Sequence, residues 1–128
     1  MAGTIANTIE SMIGQTLVKY TIAWTSDASG DVNTNAFEMK RGAIYQAKFI
    51  PSSSAAPTAS YDVVLNDQDG ADLLQGAGAD LSATIATAMP FDARPIVDSD
   101  TGETVDLVVT NAGNAKEGSV VVLLGPII

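Results

Sequence analysis

Apolar and polar residues alternate singly through much of this chain, the period of a half-buried strand rather than of a helix. In residues 61–74, YDVVLNDQDGADLL, Tyr61, Val63 and Leu65 alternate with Asp62, Val64 and Asn66. The pattern predicts a strand with the first set on its buried side. Asp67-Gln68-Asp69-Gly70 follows, with short polar side chains that bond local backbone and a glycine that tolerates positive φ, so residues 71–74 are expected to return as the second arm of a hairpin. Residues 17–25, LVKYTIAWT, alternate in the same way and are rich in β-branched and aromatic side chains; Val18, Tyr20, Ile22 and Trp24 form the expected buried face.

Turn clusters separate further strands. Residues 26–31 are a turn, and 32–39 a more polar strand expected to pair with the one before it. Lys40-Arg41-Gly42 marks the next turn, and residues 43–50 alternate again, with Ala43, Tyr45, Ala47 and Phe49 on one side. Small residues and two prolines at 51–60 predict an exposed, mobile loop. Residues 81–89 fit either period poorly. The tract 98–102, DSDTG, reads as a turn, and 103–110 as a strand presenting Val105, Leu107 and Val109. The last strand, SVVVLL at 119–124, is an apolar run suited to a central position covered on both faces. Seven to nine strands without alternating helices predict an all-β fold, an antiparallel β-sandwich or a jelly-roll-like barrel. Before it, residues 1–16 carry Ile5, Ile9, Met12 and Ile13 near helical spacing, but glycine, threonine and asparagine weaken a helix; an N-terminal arm or short helix precedes a single domain at 17–128.

Composition narrows the function more than it specifies it. The chain has 128 residues, enough for one domain with a core of its own. Charged residues make up only 16% against 46% hydrophobic, so part of the surface is expected to be covered by partners. A net charge of -9 opposes contact with nucleic acid or anionic lipid. There is no cysteine and no histidine, which removes thiol and imidazole chemistry. Neither a signal peptide nor an apolar membrane span is evident. The acidic clusters, with Asp67, Asp69 and Asp72 in one and Asp98 and Asp100 in the other, are candidates for calcium because oxygen ligands alternate around a glycine. The spacing lacks the end ligands of a calcium loop: with Gly70 sixth, position one is Leu65 and position twelve Gly76. Turn chemistry accounts for the same residues. The glycines at 76 and 78 lack the strand, helix and lysine of a phosphate cradle. No cofactor and no catalytic activity are expected. The candidate contact residues between chains are Ile5, Ile9, Met12, Ile13, Trp24, Ile127 and Ile128, Trp24 being expected in the core or at a subunit contact.

The succession TIAWTSDASGDV, RGAIYQAKFIPSSSAAPTASYDVVLNDQDGADLLQGAGADLSAT and LVVTNAGNAKEGSVVVLL resembles small structural proteins encoded in the virion-assembly regions of tailed bacteriophages. It spans most of residues 17–124 and consists of strand and turn phrases without a site motif. The resemblance implies a virion component assembled in the host cytoplasm, a capsid decoration or minor capsid protein that binds the major capsid protein and itself, often as a homotrimer. A host-surface or glycan-binding module, using loops 51–60 and 111–118, and a head-to-tail or tail component are the alternatives.

Overall fold

A computed structural model describes residues 3–13, 17–90 and 96–125. Seven strands run in the order β1 (Thr4–Ile13), β2 (Leu17–Thr25), β3 (Val32–Pro51), β4 (Asp62–Asn66), β5 (Thr87–Pro90), β6 (Ile96–Thr110) and β7 (Glu117–Gly125). Every strand pairing is antiparallel. The hydrogen-bonded path β1-β2-β7-β3-β6-β4, with β5 also on β3, folds into two packed sheets because β3 belongs to both. Its C-terminal half lies between β7 and β5, completing a five-stranded sheet with β2 and β1. Its N-terminal half pairs with β6, which β4 flanks on the other side, giving a three-stranded sheet. The fold is an antiparallel β-sandwich, as the alternation requires.

The core lies between the sheets. From the five-stranded sheet come Ile22, Trp24, Ala47, Phe49, Val120, Val122 and Leu124; from the other, Val32, Phe37, Val63, Leu65, Val105, Leu107 and Val109. Each of the larger side chains contributes about 1.5–3 kcal/mol on burial. Two aromatic pairs join the layers. Tyr20 of β2 stacks on Phe37 of β3 with ring centroids 4.5 Å apart and planes 9° from parallel. Trp24 meets Tyr61, which precedes β4, at 5.8 Å in a tilted arrangement.

Several strand expectations need correction. The stretch 32–39 pairs with β6 and not with β2, because the turn at 26–31 carries the chain from one sheet to the other. Lys40-Arg41-Gly42 is not a turn: β3 continues through it, and the pairing with β6 shifts register between Met39 and Arg41 instead. Opposite this point residues 99–102, between Asp98 and Glu103, face the single residue Lys40, so the turn-forming tract is an excursion inside β6. A second shift against β7, between Ile44 and Gln46, changes which side is buried: Ile44 is in the core together with Ala47 and Phe49, while Tyr45 is only half-buried. The N-terminal segment is extended, as the arm alternative had it, but β1 is paired to the chain's own β2, from Thr4 opposite Thr25 to Ile13 opposite Leu17. Residues 71–74 do not form a strand; a single bridge from Asn66 to Asp72 precedes a series of turns. Residues 51–60 are exposed at Ser53, Ser54 and 58–60, as expected, and are joined to the rest of the chain through Ser52 N–H to Glu117 O at 3.1 Å, Thr58 N–H to Ala112 O at 2.8 Å and Ser60 N–H to Leu81 O at 2.9 Å.

Candidate functional site

β7 reads in sequence like a strand buried on both faces, but among the described residues only one face is fully buried. Val120, Val122 and Leu124 are buried, whereas Ser119, Val121 and Leu123 are partly exposed on the outer side of the five-stranded sheet. Register extends this outer surface across four strands: Thr21 of β2 stands opposite Val121, Val121 opposite Lys48 of β3, and Lys48 opposite Ala88 of β5. One row further, Lys19 is followed by Leu123, Gln46 and Pro90. At its centre this surface carries Val121 and Leu123, flanked by Thr21, Lys19, Lys48 and Gln46. The loop carboxylates Asp27, Asp31, Asp67, Asp69, Asp72 and Asp80 all lie outside these rows. Neither row holds a carboxylate, and two of the chain's six basic residues, Lys19 and Lys48, stand in them.

At one end of the sandwich three loops are locked together. Ser26, 4% exposed, donates from Oγ to Gly113 O at 2.5 Å and accepts Lys116 N–H at 2.8 Å, while its own N–H reaches Lys116 O. Ala112 N–H bonds Gly30 O, and Glu117 N–H bonds Ala55 O. Asp27 accepts the amides of Ser29 and Asp31, and the Asp31 bond is the main reason its carboxyl is held below the ordinary 3.8. Beside these loops a cleft of about 570 Å³ is bordered by Trp24, Thr25, Ile50, Ser52, Glu117 and Ser119. Trp24 itself is 2% exposed, so it belongs to the protein's own core, and its indole Nε1 has no hydrogen-bond partner.

The candidate calcium ligands serve the backbone. Asp67 Oδ1 accepts the amides of Asp69 and Ala71, each at 2.9 Å, and closes the turn after β4. Asp72 accepts Leu74 N–H and Gly76 N–H at 2.9 Å and Leu65 N–H at 3.3 Å. Asp98 stands opposite Arg41 and, with Asp100, is part of β6. Among the described residues no three acidic side chains converge on one point. Of the candidate contact residues, Ile5, Ile9, Met12 and Ile13 lie along β1, opposite Trp24, Thr21, Val18 and Leu17 of β2. Ile127 and Ile128 are outside the described residues. Sequence reasoning passed over Ser26, whose role needs a partner 90 residues away, and Gly118, which is silent until its cross-strand neighbour is known.

Among the described residues no helix is long and apolar enough to cross a membrane. Comparison of the chain with family models, with curated proteins and with solved structures finds no match.

Proposed function

We propose that the protein is a non-enzymatic virion component of a tailed bacteriophage, a capsid decoration protein that binds the assembled shell through the outer face of its five-stranded sheet. The observation that carries this reading is β7: a strand with the composition of a doubly buried one has Val121 and Leu123 only partly buried in the isolated chain. A sheet face with partly exposed Val121 and Leu123, two lysines and no carboxylate in its rows, in an otherwise acidic protein, suits a protein partner. The partner that the sequence resemblance implies is the major capsid protein. Binding only the assembled state raises the stability of that state by mass action. The test is quantitative mass spectrometry of purified particles. Copies in proportion to the coat subunit support decoration, a few per particle indicate a connector or tail position, and none refutes a virion role.

A second reading rests on the joined loops. Loops 51–60 and 111–118 form one hydrogen-bonded surface beside the cleft, and loops held by a rigid sandwich are the usual carriers of recognition. This would make the protein a host-surface module for glycan or protein. Binding of isolated host envelope by the purified protein, lost on changing Ser53 and Glu117 but not Val121, would favour it over decoration.

A further inference from the structure

The cleft beside the joined loops lies on the outer face of the five-stranded sheet, at its loop end. Ala23, Ser119 and Ile50 stand opposite one another in one cross-strand row and Thr25 and Glu117 in the next, while Ser52 and Ser53 close the cleft from the loop that follows β3. Its floor is low because Ala23 and Ser119 are small. On the other side of Ser119 comes the row of Thr21, Val121 and Lys48, so the cleft opens directly beside the partly exposed valine.

The groups around the cleft are selective in sign. Glu117 is the one ionic side chain among the described residues that line it. Its backbone is held from both directions, Glu117 N–H to Ala55 O at 2.9 Å and Ser52 N–H to Glu117 O at 3.1 Å. Glu117 is exposed, and among the described residues its carboxylate, like the hydroxyls of Thr25 and Ser119, takes part in no hydrogen bond or ion pair. With no lysine or arginine in the lining, an anion finds no counter-charge there. A sugar ring finds no platform to stack on, since Trp24 is 2% exposed. Acceptors around one anchored carboxylate suit a cation that brings several N–H donors, and a net charge of -9 draws cations toward the protein. Further along the face the sign reverses: Lys48 stands beside Val121 and Lys19 beside Leu123.

On the reading of this outer face as the contact surface, we infer that the cleft receives a basic side chain of the partner protein that covers Val121, and that the carboxylate at one end and the two lysines beyond it set the direction in which the partner lies on the sheet. A guanidinium suits the cleft best, because its fork offers parallel donors to one carboxylate and leaves further N–H groups for the hydroxyls.

The full chain is titrated with N-acetylarginine amide and with its uncharged isostere N-acetylcitrulline amide, following backbone amides by NMR, and shell binding is measured in parallel by sedimentation. Saturable shifts at Thr25, Gly118 and Ser119 are expected with the arginine compound, at least about tenfold weaker in affinity with the citrulline compound and in Glu117→Gln, which keeps the shape of the side chain. Coat shells are expected to bind Glu117→Gln at least about tenfold less tightly than the native chain. Ser119→Leu, which fills the floor and keeps the carboxylate, is expected to lose the arginine compound as well. Equal response to the two compounds, no saturable response at these amides, or shells that bind Glu117→Gln as tightly as the native chain would overturn the inference. A native chain that takes the arginine compound but no shells supports the cation preference of the cleft while refuting decoration, so the two failures are told apart.

Discussion

Trp24 on β2 and Gly118 on β7 are cross-strand partners, and the indole occupies the space that a side chain at 118 would need. A Cβ on Gly118 would stand 2.5 Å from Cζ2 and 2.8 Å from Cε2 of Trp24, and 3.1 Å from the Ile50 carbonyl oxygen. The ring cannot retreat easily, because its other side meets Tyr61 and the core. Gly118→Ala is thus expected to destabilise the fold by about 1–3 kcal/mol, the usual cost of overpacking. Urea unfolding followed by fluorescence of Trp24, the only tryptophan, measures it directly.

The Tyr20–Phe37 stack links the two sheets. Phe37→Ala removes a buried ring and leaves a cavity between layers, with an expected loss of about 3–5 kcal/mol. Phe37→Leu, which keeps most of the volume, is expected to cost distinctly less, and the two denaturation midpoints decide the order.

Ser26 holds the 111–118 loop by one donated and one accepted hydrogen bond. Ser26→Ala leaves the Gly113 carbonyl and the Lys116 amide without that partner, for an expected loss of about 1–3 kcal/mol. Hydrogen exchange at Lys116 should quicken while exchange in β4 stays unchanged, because the effect is local.

Burial pushes the Tyr61 hydroxyl up from the ordinary 10.0 to about 12. Between those values the unfolded chain has lost the proton and the folded one retains it. The contribution of Tyr61 is accordingly complete below pH 10 and lost as pH rises toward 12. Tyr61→Phe should flatten this alkaline fall, read as the difference in unfolding free energy between pH 9 and pH 11 in the two proteins.

The strands that show best in the sequence are those whose burial follows strict alternation: Ile22 and Trp24 in β2, Val63 and Leu65 in β4, Val120, Val122 and Leu124 in β7. What does not show is the way β3 serves both sheets. Lys40-Arg41-Gly42 has turn composition, yet pairing with β6 keeps the strand going and absorbs the irregularity as a register shift. Local propensity yields there to long-range pairing, which one segment read alone does not reveal. The hairpin return after Gly70 fails for a related reason. Asp72 spends its carboxylate on the amides of Leu65, Leu74 and Gly76, favouring turns that cap the β4 edge over a second strand. The proposed contact surface was half legible: the apolar run of β7 announced burial on two sides, but only the fold identifies the side whose residues, among those described, stay partly exposed.

Val121→Glu tests that surface without entering the core, since Val121 is on the outer side of β7. Its effect on the unfolding free energy is expected to stay within about 1 kcal/mol, while a carboxylate in the middle of a desolvated protein contact is expected to weaken shell binding at least about tenfold. Sedimentation of labelled protein with coat shells provides the comparison, and equal binding by the two proteins would remove this face from the account.

The claim that the molecule acts by fitting a sheet face to an assembled coat is tested most directly by heating purified shells with and without saturating protein. The expected result is that the protein sediments with the shells and raises the temperature at which they come apart, and that Val121→Glu does neither. Protein left in the supernatant, with shells disrupting at the same temperature in both samples, would contradict it.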